Sequence, residues 1–167
     1  MQTNDDIQRL GETLLSHNLT IATAESCTAG GIGAAIASID GASRYYVGGV
    51  ITYATELKTR ILGVPPEVID EFGVVSKQTA VAMNGGVRTL TGADVAVSIT
   101  GYAGSNGGDE FAENGTVWIC VSALEHEPAA YCIHVDGGRS ENLKKAISEA
   151  IRLCLNLILD VVDDKAT

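Results

Sequence analysis

Residues 22–31, "ATAESCTAGG", place a carboxyl, two hydroxyls and a thiol (Glu25, Ser26, Cys27, Thr28) in consecutive positions and follow them with Gly30 and Gly31. Two chemistries suit such a run. A serine or threonine can cap a helix N-terminus, or the same hydroxyl can serve as a nucleophile among unpaired backbone N–H groups that receive an oxyanion or a phosphate. Ser26 lacks the G-x-S-x-G context of a nucleophile elbow, and no histidine is read beside a strand terminus with an acidic partner, so a Ser-His-Asp triad is disfavoured. A serine without histidine needs another base, and a desolvated lysine can fill that role. Lys58 in "ITYATELK" is the candidate. Its pKa would have to fall from about 10.4 towards about 7–8, which burial and neighbours must drive with roughly 3–5 kcal/mol. The competing readings are a merely capping Ser26 and a solvated Lys58. Cys27 is either a second nucleophile, its thiol acidified by a helix N-terminus, or a small packing residue. Glu25 either orients Lys58 or a substrate hydroxyl, or is an ordinary first-turn acid.

Two further segments carry chemistry. Residues 100–108, "TGYAGSNGG", could turn backbone N–H groups onto a phosphate or ribose, because glycine permits inward-facing amides; a plain surface loop has the same composition. Arg139 in "DGGRS" is a bidentate phosphate partner or a solvated turn residue.

The elements that must position these residues follow from periodicity. Ile7, Leu10 and Leu14 recur at helical spacing behind Asn4/Asp5 as a cap. "LTIAT" is a buried strand feeding the opening motif, and a helix runs from Thr28 through Ile32, Ala35, Ile36 and Ile39 until "DGAS". "YYVGGVITY" is a second strand, "ATELKTRILG" a short helix closed by Gly63, and Pro65-Pro66 start another to about Phe72. Ser76 caps "KQTAVAMNGGVRTL", where Gly85 and Gly86 each weaken the helix by roughly 1 kcal/mol or mark close packing. "DVAVSIT" is a third strand, residues 101–115 a glycine-rich loop, and "TVWICVSA" with "AAYCIHV" an antiparallel hairpin across "LEHEP". A last helix runs from Ser140 to about Val162 with Leu143, Ile147, Ile151, Cys154, Ile158 and Val161 on one face. Alternating elements followed by a hairpin predict one α/β domain over 1–167, a three-layer α/β/α sandwich with a mixed sheet of about five or six strands. In such sheets ligands gather at strand carboxyl ends, which are followed here by 24–31, 52–58 and 100–108.

Composition narrows the partners. The net charge of −10, from 21 acidic and 11 basic residues, argues against nucleic acid or an anionic membrane and leaves room for one phosphorylated small molecule. No apolar run approaches the roughly 20 residues of a membrane span and no leader is evident, so a cytoplasmic protein is expected. Cys27, Cys120, Cys132 and Cys154 form no C-x-x-C pair, and His17, His126 and His134 are scattered, so no metal site is expected; Cys120 and Cys132 are assigned to the core.

Taken together, "AESCTAG", "ITYATELK", "GVVS", the "TGYAGSNGG" loop, "GTVW" and "GGR" stand in the order and spacing of the CinA C-terminal domain. From about residue 5 to residue 160 the chain resembles that family, which comprises nicotinamide-nucleotide amidases. The resemblance implies the same fold and hydrolysis of nicotinamide mononucleotide to nicotinate mononucleotide and ammonia within NAD metabolism, with no cofactor and no metal, by a homo-oligomer. It implies Ser26 as nucleophile, Lys58 as its base and Tyr53 positioning the proton or substrate. On the substrate side it implies Cys27, Thr28, Gly30, Thr100, Gly101, Gly104 and Arg139, with the amides of Cys27 and Thr28 taking the oxyanion and Arg139 the phosphate. The departures cluster. The family's "SGIAGP.GG" becomes Thr100, Tyr102 and Ser105 at its serine, isoleucine and proline; "KPVGTVW" becomes "AENGTVW" with Asn114; "GDR" gains Gly138. "VSE" ends in Lys77, and an arginine of the last helix falls near Leu143 or Lys144. The reacting end is intact and the phosphate end altered, which fits an amidase, or alternatively a weak or inactive paralogue that binds a nucleotide in a regulatory role.

Overall fold

Apart from Trp118, strands β3 (Val95–Gly101) and β4 (Thr116–Ala123) place larger side chains on one face and smaller ones on the other over 95–98 and 117–122, and that difference sorts the layers. Their large residues, Val95, Val97, Ile99, Val117, Ile119 and Val121, form one core with Leu10 and Leu14 of helix α1 (Gln2–Ser16) and with Ile151, Leu155 and Ile158 of α6 (Arg139–Asp164). The other face carries Ala96, Ser98, Cys120 and Ser122, leaving room for α5 (Lys77–Thr91) to lie close to the sheet. Asn84, buried in the middle of α5, donates to the carbonyls of Ala96 and Cys120 and accepts from the Ser122 hydroxyl, while Ser98 donates to the Ala80 carbonyl. The computed structural model describes residues 2–164.

The remaining elements are β1 (Ile21–Glu25), α2 (Gly31–Ala37), β2 (Tyr46–Ile51), α3 (Thr55–Leu62), α4 (Pro66–Phe72) and β5 (Ala129–His134), with a short 3-10 turn at Ala42–Arg44. Strand order is β2-β1-β3-β4-β5; β1 runs parallel to β2 and β3, and β4 and β5 are each antiparallel to the strand before. This is the expected mixed sheet with helices on both sides. Because Glu25 is level with both Ile51 and Ile99, the carboxyl ends of β1, β2 and β3 open on one edge of the sheet. That register brings three distant sequence segments together.

Several sequence expectations need correction. Helix α1 begins at Gln2, so Asn4 and Asp5 lie in its first turns and do not cap it. Helix α2 begins at Gly31, not Thr28, because Ala29 (φ 48) and Gly30 (φ 95) turn through left-handed backbone that no helix start at Thr28 could contain. Cys120 is buried, but Cys132 is exposed, since β5 is an edge strand with one face in water. Of the Gly85-Gly86 pair only Gly86 marks close packing: a Cβ there would stand 2.0 Å from the Leu62 carbonyl oxygen at the end of α3, whereas one on Gly85 would meet nothing within 4 Å. Ser76 caps α5 as read, accepting from the Thr79 amide at 3.1 Å.

Candidate active site

Glu25 is the last residue of β1 and is buried, at 1% exposure. Its carboxylate accepts from the Thr28 hydroxyl at 2.6 Å and from the amides of Ile32 and Gly33 at 2.8 and 2.9 Å. It therefore does not orient Lys58; it satisfies the first free N–H groups of α2 from one strand away. With the helix capped by Glu25, Ser26 is released from that task. Replacing Glu25 by alanine strips three charge-assisted hydrogen bonds and is expected to destabilise the fold by about 3 kcal/mol or more, with glutamine costing less; urea unfolding measures both.

Ser26 occupies the turn after β1, with its amide bonded to the Ile99 carbonyl. Lys58 reaches it from α3, its Nζ 2.9 Å from Ser26 Oγ and 2.6 Å from the Thr52 carbonyl oxygen. Lys58 is 1% exposed and ranks first by volume among the fully buried side chains. Burial lowers its pKa from 10.5 to about 8, against the smaller opposing influence of Cys27 and Glu56. A neutral Nζ keeps two protons and one lone pair; with one proton on the Thr52 carbonyl, the lone pair is free to accept from Ser26 Oγ. That neutral form is far more accessible than in a solvated lysine, and increasingly so as the pH rises past about 8. A hydroxyl and a buried amine in this arrangement can act chemically as nucleophile and base. Cys27 is not a competing thiolate, since burial pushes its pKa up to about 11.

A cleft of about 450 Å³ opens above this pair. Its walls come from Ser26 and Cys27, from Tyr53 and Thr55, from Val74 and Val75, and from the 100–107 loop, with Arg139 at the rim. The amides of Cys27 and Thr28 donate to no other residue's acceptor among the described residues. Thr100 donates its hydroxyl to the Val74 carbonyl, tying two walls together. Arg139 donates to the Tyr53 hydroxyl at 3.1 Å, and a Cβ on Gly104 would come within 3.4 Å of the guanidinium. Gly101 faces the sheet as well as the cleft, since a Cβ there would meet Val117 at 2.7 Å.

Of the residues expected at the site, Ser26, Cys27, Tyr53, Lys58, Thr100, Gly101, Gly104 and Arg139 line one cleft. Thr28 and Gly30 do not: the Thr28 hydroxyl is committed to Glu25, and Gly30 turns towards Ile51 on the far side of the strand. The expectation that no histidine stands at a strand end with an acid also fails, because His134 closes β5 3.9 Å from Glu113. That pair is exposed and does not line the cleft.

Four contributors escaped the sequence reading. The Thr52 carbonyl is a backbone acceptor and has no side-chain signature. Val74 and Val75 belong to "GVVS", which was read only as a motif. Asn142 is buried in the first turns of α6, where its amide donates to the carbonyls of Ala103 and Gly137 and accepts from the Gly137 amide. Its signal was the helical repeat Asn142, Ala146, Ala150 and Cys154, a polar residue heading a buried stripe.

A family model described as the CinA C-terminal domain matches residues 4–158. A CinA-like protein of Cytophaga hutchinsonii is 37% identical over 152 residues, covering 91% of this chain and 36% of that protein. A CinA-like protein of Gemmatimonas aurantiaca is 44% identical over 134 residues, 80% of this chain and 31% of its own length. The chain thus spans about a third of the length of the curated relatives it matches. Among solved structures, the competence or damage-inducible protein from Enterobacter asburiae superposes with a TM-score of 0.90 at 30% identity, covering 93% of this chain and 98% of that one. The competence/damage inducible protein CihA from Agrobacterium tumefaciens gives 0.88 at 31% identity, over 93% and 96%.

Proposed function

The chain belongs to the CinA C-terminal domain family, and from that membership and the buried Ser26–Lys58 contact we propose that it is an amidohydrolase acting on nicotinamide mononucleotide. The observation that carries the reading is the 2.9 Å approach of a buried amine, its pKa lowered to about 8, to a serine hydroxyl at the floor of a cleft.

The reaction proceeds in two halves. Neutral Lys58 takes the proton of Ser26 as Oγ attacks the carboxamide carbon, and the oxyanion forms beside the amide of Cys27, which lines the cleft. Lys58 returns that proton to the leaving nitrogen, ammonia departs, and an acyl ester remains on Ser26. Water then gives its proton to Lys58 as it attacks the ester, the carboxylate product leaves, and the proton returns to Ser26 Oγ. The test is ammonia release from nicotinamide mononucleotide by the purified protein; a rate no higher than that of the Ser26→Ala variant defeats the proposal. Binding of the nucleotide without turnover supports the regulatory alternative.

Arg139 is the cation at the rim and the partner for the nucleotide phosphate. Arg139→Ala is expected to raise KM for nicotinamide mononucleotide by about tenfold or more, the scale of a lost charge-assisted hydrogen bond, with a smaller change in kcat. Steady-state kinetics against nicotinamide riboside, which lacks the phosphate, provides the control: its kcat/KM moves far less.

A further inference from the structure

The 101–115 segment is a built structure, and most of its bracing falls on residues where this chain departs from the family pattern. Tyr102 is held at four points. Its amide donates to the Thr116 carbonyl, its carbonyl accepts from the Gly115 amide, and its hydroxyl donates to Asp109 Oδ2 at 2.8 Å. The fourth is Gly107, whose backbone lies against the ring so closely that a Cβ would stand 2.9 Å from Tyr102 Cβ and 3.1 Å from Cδ1. Asp109 is itself fixed, its second oxygen accepting from the amides of Phe111 and Ala112. Asn114 accepts from the Gly107 amide, and Phe111 lies over Gly73, at the base of the Val74-Val75 wall.

This bracing has a consequence for the cleft that Tyr102 lines. A tyrosine whose hydroxyl already donates to a carboxylate has no donor left for a ligand. What it offers is an immobile ring face. The loop holds no lysine or arginine between 101 and 115, so what its Tyr102 side chain contributes to the cleft is a flat apolar surface and not a charge. A flat ring lying on another gains from offset stacking, and a pre-fixed platform loses little rotamer freedom in doing so.

We infer that Tyr102, locked by Asp109 and Gly107, is a specificity-determining residue whose ring is the platform for the flat aromatic ring that carries the substrate amide. The inference rests on the amidase reading for the identity of the ligand, but its test is binding and not turnover. In the Ser26→Ala background, nicotinamide mononucleotide and ribose 5-phosphate are titrated by calorimetry against the parent, Tyr102→Phe and Tyr102→Leu. Phenylalanine keeps the ring and leucine keeps the bulk. The leucine variant is expected to weaken nicotinamide mononucleotide by about fivefold and to leave ribose 5-phosphate unchanged, while phenylalanine retains most of the preference. Equal loss for both ligands in the leucine variant, no loss for either, or a parent protein that does not bind nicotinamide mononucleotide overturns the inference. A parent that binds the nucleotide with the expected Tyr102 dependence, while the wild type releases no ammonia, leaves this inference standing and removes the amidase. Turnover with an unchanged preference in Tyr102→Leu does the reverse.

Discussion

Ser26→Ala is expected to lower kcat for ammonia release by at least about a thousandfold while leaving the fold intact, because in the proposed mechanism nucleophile and base act as one unit and losing either removes most of what both achieve. The fold should tolerate the change. Ser26 holds its place through its amide on the Ile99 carbonyl, α2 is capped by Glu25, and Lys58 keeps its bond to the Thr52 carbonyl. Parallel rate and melting measurements separate chemistry from stability. Residual turnover in Ser26→Ala that vanishes on further replacement of Cys27 would transfer the nucleophile to the adjoining thiol, against the raised pKa of that group.

Lys58→Met is expected to cost as much activity and yet to stabilise the protein in neutral solution. The sign follows from where the proton sits. Lys58 titrates near 8 in the folded chain against 10.5 in its ordinary setting, so between those values the unfolded chain binds a proton that the folded chain has released. Stability conferred by this group therefore rises with pH across that window, is complete above 10.5, and is lost as pH falls through about 8. The full window is worth about 3 kcal/mol. Methionine keeps much of the volume and has no charge to bury, so its advantage over wild type should be largest below pH ~8 and shrink by about 3 kcal/mol towards pH ~10.5. Urea unfolding of both proteins at the two ends of that range measures it, and parallel pH dependences would refute it. In the same wild-type protein kcat/KM should climb with pH to a plateau with an apparent pKa near 8, since the proposed mechanism uses the deprotonated amine.

The five strands, the hairpin and the long final helix were legible because their patterns are local. Residues 95–99 alternate in size, 117–121 are a run of apolar strand formers, and 142–158 repeat at helical spacing, whatever lies beside them. Family motifs marked Ser26 and Lys58 in the same way. The start of α2 was misjudged because its cap is a carboxylate from the preceding strand, seven and eight residues upstream of the amides it serves, where capping patterns are sought within one turn.

What the sequence determined by itself is the inventory: a serine after the first strand, a lysine in the short helix after the second, a glycine loop after the third, and the periodicities that make those strands and helices. What only the tertiary structure decided is their state. Whether the lysine is a solvated cation or a buried base depends on parallel pairing of β1 with β2, on the Thr52 carbonyl waiting for Nζ, and on the walls that keep water away. Desolvation is a property of everything packed around a group, contributed here by segments more than a hundred residues apart along the chain, from Ser26 to Arg139. No window of sequence contains it.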